Sequence, residues 1–395
     1  MKVVQINPVC YASTGKIAVE ISKILKEQDI ENYILYTSGN SNYDCAIKYA
    51  NDFQIKINAL KAKLFGNYGF NSNLITRNLI KELKRINPDV IHLHNLHGHN
   101  VNLNILFKYL KSIDVKTIWT FHDCWAFTGY CMYFDYIGCN KWQEQCDLCT
   151  QAKQYSWGRN KCKLLYNKKK KLFCGIKNMI IVTPSRWLGE LTKKSFMKEY
   201  PIKVINNGID IDVFKPMESN FRQKYDLENK KIILGVAMGF GKRKGYNYFL
   251  QLAEKVDDST KIVLVGTNDE QKKNAPENVI CINSTSNQME LAQIYSAADI
   301  FVNCTLEDNF PTVNLEALAC GTPIITFNTG GSVECIENDD VGVVVEQGDV
   351  NGIIANIETL LERENIAQLC REKAEQYYDS KKCFEKYIEL YNTKY

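Results

Sequence analysis

Asp308 and Glu316 lie eight residues apart in the stretch ADIFVNCTLEDNFPTVNLEALACGTPIITFNTGGSVE at 298–334, a spacing that lets two carboxylates reach the hydroxyls of one ligand. Glu307 stands beside Asp308, so either acid can take the first position. Lys242, Arg243 and Lys244 form a basic turn just before Gly245, and cations on a glycine-rich loop offset the charge of a diphosphate. Four of the five histidines (His92, His94, His97 and His99) fall within HLHNLHGHN, and the fifth is His122. Imidazoles titrate near neutrality and, when neutral, ligate zinc. Cys131, Cys139, Cys146 and Cys149 follow C-x7-C-x6-C-x2-C, the outline of a four-thiolate structural zinc site. Four thiolates leave no open coordination position, so such a zinc would staple the chain and not catalyse. Free thiols are the competing reading.

These groups need elements to position them. Ile300–Asn303 reads as a buried strand, 304–311 as a loop, and Pro323–Phe327 as a second strand after a helix. Pro311 suits the first helical turn, and Gly321 the position past the helix end. A strand-loop-helix-strand unit puts the helix N-terminus at the carboxyl edge of a parallel sheet, where open α/β sheets bind ligands. The unpaired N–H groups of that first turn face any phosphate there, so Asn309, Phe310, Pro311 and Thr312 become ligand contacts. Amides for phosphate and carboxylates for hydroxyls suit a sugar nucleotide.

Earlier in the chain, Val3–Ile6 reads as a strand that runs into NPVCYASTGK and a helix with Ile17, Ile21, Ile24 and Leu25 on one face. Ser13 and Thr14 are helix-start residues, and Gly15 lets backbone approach a ligand closely. Leu74–Ile86 reads as an amphipathic helix ended by Asn87-Pro88, and Asp89–Leu93 as the strand that delivers the histidine cluster. Lys116–His122 delivers His122 and Asp123 to the same edge, and Met179–Val182 delivers Ser185 and Arg186. The βα alternation restarts with Ile232–Ala237, continues through Ile262–Gly266 and Asn283–Asn287, and ends in a helix with Phe384, Tyr387, Ile388 and Tyr391 on one face.

The segment around Asp308 and Glu316 resembles the signature of the retaining glycosyltransferases of family four: acidic-x7-Glu, an alanine-rich helix, then a CGTP-like turn. HDCWAFTG with the spaced cysteines is similar to a polysaccharide-building subset of that family. The resemblance implies a GT-B fold, with two Rossmann-like domains facing across a cleft and a cysteine-rich insertion at about 124–162 of the first. By it, Asp308 or Glu307 contacts the donor sugar and Glu316 holds the ribose. His122 lies against the donor sugar, Lys244 matches the lysine of a KG pair, and Gly15 and Lys16 become donor contacts. The arginine the family carries about five residues upstream is missing, because Gly239 and Phe240 occupy that region; Lys242 or Arg243 is the substitute. His94, His97 and Arg186 fall on the acceptor side. NNGIDIDVFKP resembles the interdomain linker, which sets domains at 1–207 and 208–378 and a last helix at 379–395 crossing back to the first.

Composition bounds this reading. A chain of 395 residues is long enough for two domains, and 45% hydrophobic with 24% charged residues is globular. A net charge of +4 gives no case for nucleic acid. An N-terminus that reads as a strand, no long apolar run, and fifteen scattered cysteines point to a cytoplasmic protein with reduced thiols. The basic run KCKLLYNKKKKLF at 161–173 is either a solvated helix face or a peripheral contact with the inner face of a membrane. The expected reaction moves a sugar from a UDP- or GDP-type donor to a hydroxyl of a glycan or lipid-linked glycan, with no catalytic cofactor. A GT-B epimerase or hydrolase of sugar nucleotides is the alternative. A metal-dependent hydrolase is a second, since His92-x-His94-x-x-His97 has the outline of a metallo-β-lactamase-like motif, although Leu96 stands where that motif carries Asp.

Overall fold

The computed structural model describes residues 1–336 and 341–393, except for the side chain of Ser13. It divides into two compact units. One is Met1–Asn206 with the chain end from Phe384, and the other is Asn207–Cys383.

The first unit holds a seven-stranded parallel sheet: β1 (Lys2–Ile6), β2 (Glu31–Tyr36), β3 (Ala46–Lys48), β4 (Val90–Leu93), β5 (Lys116–Thr120), β6 (Met179–Thr183) and β7 (Ile202–Val204), ordered 3-2-1-4-5-6-7. All four residues of β4 and all five of β6 are buried, as expected where helices cover both faces of a parallel sheet. The helix before β4, Asn73–Ile86, buries Ile75, Leu79, Leu83 and Ile86 at helical spacing. It stops at Asn87, which takes φ 50°, because Pro88 cannot extend the helix.

The second unit repeats the plan with six parallel strands: β8 (Lys231–Val236), β9 (Thr260–Val265), β10 (Val279–Ile282), β11 (Ile300–Asn303), β12 (Ile324–Phe327) and β13 (Gly342–Val345), ordered 10-9-8-11-12-13. Two local expectations shift. The strand expected at Asn283–Asn287 lies earlier, at β10, since its asparagines and serines cannot fill a buried ladder. Asn287 instead caps the helix Gln288–Ala297, accepting from the Glu290 N–H at 2.9 Å. The first helix starts at Ala12 after Tyr11, with no side-chain cap, rather than at Ser13 or Thr14.

The segment 124–162 has only short turns, such as Trp125–Phe127 and Lys141–Gln143. Its packing comes from the fully buried Trp125, Phe127, Tyr130 and Trp142. Lys169 reaches in from the helix Cys162–Phe173, donating to the Trp125 and Thr128 carbonyls at 2.7 and 3.1 Å and standing 3.5 Å over the Trp125 ring. Burial holds its amine well below the usual lysine range. The last helix, Ser380–Asn392, has its aromatic face in the first unit. There Tyr387 pairs with Thr120 (3.1 Å), Tyr391 pairs with His92 (2.7 Å), and Lys116 donates to the Leu390 carbonyl (2.7 Å).

Candidate functional site

In the second sheet the strand order reverses between β8 and β11, and the loops after these strands carry the expected charges. After β8, Lys242–Lys244 make one tight turn closed by Gly245 at φ 74°. A Cβ at Gly245 would run into the Cys304 carbonyl, so glycine is what lets the basic turn lie against the end of β11. Three contacts then join turn and acidic loop. Leu306 N–H donates to the Arg243 carbonyl (2.8 Å), the Arg243 guanidinium to the Glu307 carbonyl (3.0 Å), and Lys244 Nζ pairs with Asp308 Oδ2 (2.6 Å). The Asp308 carboxylate thus meets the Lys244 ammonium, and the Glu307 carbonyl accepts from Arg243.

Asn309 and Phe310 are buried, and Pro311 precedes the helix Thr312–Ala319, whose first turn receives no capping side chain. Its leading amides therefore stay directed out of the helix end. Glu316, in the second turn of that helix, accepts from the Tyr295 hydroxyl at 3.0 Å. Burial and the neighbouring Glu316 carboxylate push Tyr295 well above its ordinary value, so it stays a donor. Across the loop, Gly331 N–H donates to the Asp308 carbonyl (3.1 Å), and Gly330 takes φ 53°. Thr329 Oγ1 and Ser332 Oγ are buried there without a hydrogen-bond partner, the kind of orphaned polar atom that a polar ligand satisfies. Tyr295 and Ser332 carry no sequence signal of a site. Tyr295 lies mid-helix at a core position, and hydroxyls in a turn are commonplace.

In the first unit the reversal falls between β1 and β4, and the loops after β1, β4 and β5 bring the histidines together. Gly15 is within the first helix, where a Cβ would stand 2.8 Å from the Cys10 carbonyl carbon. Lys16 beside it is exposed. His92 is wholly committed to the core, bound to Tyr391 and to Thr120 (2.8 Å). Gln5 donates its amide N–H to the Ala18 carbonyl (2.8 Å), which leaves its oxygen for His94 Nε2 (3.0 Å). His94 then accepts at Nδ1 from His122 Nε2–H at 3.1 Å, and the chain Gln5–His94–His122 fixes one tautomer. Burial lowers His94 far below its ordinary value and takes His92 to about 3 and His122 to about 4, so all three rings are neutral at pH 7.

His97 Nε2 meets Asp123 Oδ2 at 2.7 Å, and Trp125 N–H meets the other carboxylate oxygen at 2.8 Å. Burial alone would raise the Asp123 carboxyl, but His97 and these hydrogen bonds outweigh it and hold it below the usual range. His99 has φ 59° and packs edge-on against Tyr68. The rings of His92, His94 and His97 are thus engaged by protein groups rather than converging on a point, which removes the geometric basis for a hydrolytic metal centre. Arg186 is exposed at the start of the helix Arg186–Lys193, which Ser185 caps by accepting from Leu188 N–H (3.1 Å).

The four cysteines line one cavity of about 250 Å³ together with Cys162. Cys131 and Cys149 Sγ atoms are 3.8 Å apart, and Cys146 accepts from Gly129 N–H. Contact with Cys149 and burial push the Cys131 thiol up, while Cys149 is the member held down. Among the described residues no three metal-ligating groups stand together at a metal site, so the expected four-thiolate centre is present as a thiol-lined cavity and not as an assembled ligand set.

Comparison with known proteins agrees with this geometry. Residues 15–213 match the model of Glycosyltransferase Family 4, and residues 217–377 match that of Glycosyl transferases group 1. The chain is 21% identical to the putative colanic acid biosynthesis glycosyl transferase WcaC of Escherichia coli, with both chains covered in full. It is 24% identical to the capsular polysaccharide biosynthesis glycosyltransferase CapM of Staphylococcus aureus over 52% of this chain and 58% of that one. Among solved structures, sucrose-phosphate synthase from Thermosynechococcus elongatus superposes with a TM-score of 0.73 at 15% identity over 99% of this chain and 98% of the other. Anabaena Alr3699/HepE in complex with UDP-glucose gives 0.70 at 14% identity over 99% of both. Matched by a family model in each of its units, and in fold by these enzymes along nearly its whole length, the chain belongs to the family-four glycosyltransferases and has their GT-B fold.

Proposed function

We propose that this glycosyltransferase moves a hexosyl group, with retention, from a nucleoside diphosphate sugar to a hydroxyl of a growing glycan in surface polysaccharide or lipid-linked oligosaccharide assembly. The observation that carries the reading is the Lys244–Asp308 pair beside an uncapped helix start, at the reversal of the second sheet. Support for the donor class comes from HepE, whose structure holds UDP-glucose, and for the process from the names of WcaC and CapM.

In this reading Lys244, its neighbours Lys242 and Arg243, and the amides of Thr312 and the next residue take the charge of the departing diphosphate. When the donor binds, Lys244 exchanges part of its bond to Asp308 for phosphate oxygen. Glu316, aimed by Tyr295, accepts from the ribose hydroxyls, while Asp308 accepts from the donor sugar. The leaving phosphate takes the acceptor's proton as the new bond forms on the face it vacates. His122, Nε2 donating to His94, lies against the donor sugar; His94, His97 and Arg186 shape the acceptor side, and Gly15 and Lys16 contact the donor. None of these roles requires a divalent ion.

A panel of UDP-, GDP- and ADP-sugars in a thermal-shift assay, followed by transfer assays of Lys244→Ala and Glu316→Ala, tests the reading. One nucleotide class should raise the melting point, and both variants should lose transfer. Full transfer in either variant, or donor breakdown at the same rate without any acceptor, would sink it.

For the thiol cavity we propose a structural zinc held by Cys131, Cys139, Cys146 and Cys149. The 3.8 Å between Cys131 and Cys149 supports it, since a tetrahedron with Zn–S bonds of about 2.3 Å has edges of about 3.8 Å. Cys139 and Cys146 would have to turn inward from the cavity wall. Metal analysis should return about one zinc per chain, lost in Cys146→Ser; a value near zero leaves free thiols.

A further inference from the structure

The helix Asp52–Phe65 turns its apolar stripe outward. Phe53, Ile57, Leu60 and Leu64 recur at helical spacing on one face and are 70%, 37%, 51% and 47% exposed, while Asn58 and Ala62 are buried and Ile55 packs partly buried against the core. A surface helix ordinarily buries such a stripe. The patch continues past the helix end, where Phe65 is exposed and Trp157 stands 65% exposed. The backbone is fixed there: the Trp157 main-chain N–H donates to the Lys63 carbonyl (2.8 Å), and the Lys63 ammonium lies 5.3 Å over the Trp157 ring. Lys161 donates to the Phe65 carbonyl at 2.7 Å and ties the two segments together.

The charge around this patch is largely basic, with Asp52 at the helix start paired to Lys48 at 3.0 Å. No Asp or Glu occurs from Phe53 to Lys81 or from Leu148 to Gly189, and Lys56, Lys61, Lys63, Arg159 and Lys161 border the apolar residues. The lysine run that stands out in the sequence is partly engaged by other groups of the protein, with Lys170 and Lys171 exposed. Lys169 is buried, Lys168 lies over Phe70, and Lys163 pairs with Asp147.

We propose that this face, the outer side of the helix Asp52–Phe65 with Trp157, docks on the surface of an anionic lipid bilayer. A basic amphipathic helix with aromatic and leucine side chains on its apolar face is built to lie in a bilayer interface, with lysines among anionic headgroups and an indole at headgroup depth. A second copy of this chain fits poorly, because a two-fold contact would set lysine against lysine around the apolar centre. The docking surface is separate from the charged loops of the second unit, so it stands or falls apart from the donor reading.

Sedimentation of the full chain with phosphatidylcholine vesicles, with and without phosphatidylglycerol, tests this. Binding should require the anionic lipid and weaken as salt rises. The double variant Leu60→Ser/Leu64→Ser and the single variant Trp157→Ser should each lose binding by about tenfold or more, with an unchanged melting point because these side chains are already in water. Lys61→Glu/Lys63→Glu should lose it too and abolish the salt dependence. Transfer to a water-soluble acceptor should stay at the level of the parent chain in all three. Equal binding to uncharged vesicles, no binding to either, or binding indifferent to these variants would overturn the proposal. So would light scattering that shows a dimer dissolved by Leu60→Ser/Leu64→Ser while vesicle binding persists.

Discussion

The first unit lodges imidazoles where its strand order reverses: His94 hydrogen-bonded to Gln5 and His122, His92 to Thr120 and Tyr391, and His97 to Asp123. At the matching reversal the second unit lodges an ammonium against a carboxylate, on loops pressed together by Gly245 and Gly330. One topology thus carries two electrostatic solutions. A histidine can be buried neutral, giving its charge to water in exchange for hydrogen bonds, and it then orients neighbours without presenting a field. Lysine and aspartate at the second sheet's edge instead pair directly, each compensating the other's charge. The difference separates a unit whose buried His92, His94 and His122 rings are neutral from one that sets an ammonium against a carboxylate.

The sharpest way to break the comparison is Lys244→Ala. If the ammonium stabilises developing charge, kcat falls by about 10²–10³-fold while the first unit keeps its stability. Lys244→Arg should recover part of the rate, and an unchanged kcat would put the charge elsewhere. Next in size, His122→Asn should lower kcat by about 10–100-fold, and His94→Leu should reproduce much of that loss, since it removes the acceptor that fixes the His122 tautomer. Equal activity of His94→Leu and the parent would show that His122 needs no such support.

All five histidines belong to the first unit, and this gives a pH test of the contrast. His92, His99 and His122 have folded values of about 3, 4 and 4, below the ordinary 6.5, so the unfolded chain binds more protons between pH 6.5 and 4. Their contribution is fully present above pH 6.5 and is lost as pH falls toward 4. Amide exchange at pH 7 and at pH 5 should therefore show protection dropping in β4 and β5 before β11 and β12. A simultaneous loss in both sheets would contradict it. The smallest effect belongs to Tyr295→Phe, which removes one hydrogen bond to Glu316. About 1 kcal/mol, or roughly fivefold in the donor KM at unchanged kcat, is expected.

How far the sequence could be read varies by region. The strand-loop-helix-strand around Asp308 and Glu316 was legible because hydrophobic runs, Pro311 and Gly321 are local signals. The histidine network was legible as a list of residues and not as an arrangement. The partners Gln5, Thr120 and Tyr391 are 28 to 299 positions from the histidines they meet, and no spacing rule spans that range. The same holds for the Lys244–Asp308 pair, whose members are 64 positions apart. The four cysteines line one cavity, but spacing says nothing about side-chain direction.

By itself the sequence determined the alternation of strands and helices, the family, and which loops carry acid, base and imidazole, because each depends on residues within a few turns of one another. Only the tertiary structure decided which charges pair, which histidines are sealed into the core, and which apolar residues remain outside. Those outcomes depend on the order of strands in the sheets and on what packs over each helix. The stripe Phe53, Ile57, Leu60 and Leu64 reads in sequence like any core-facing face, and the fold leaves it 37–70% exposed.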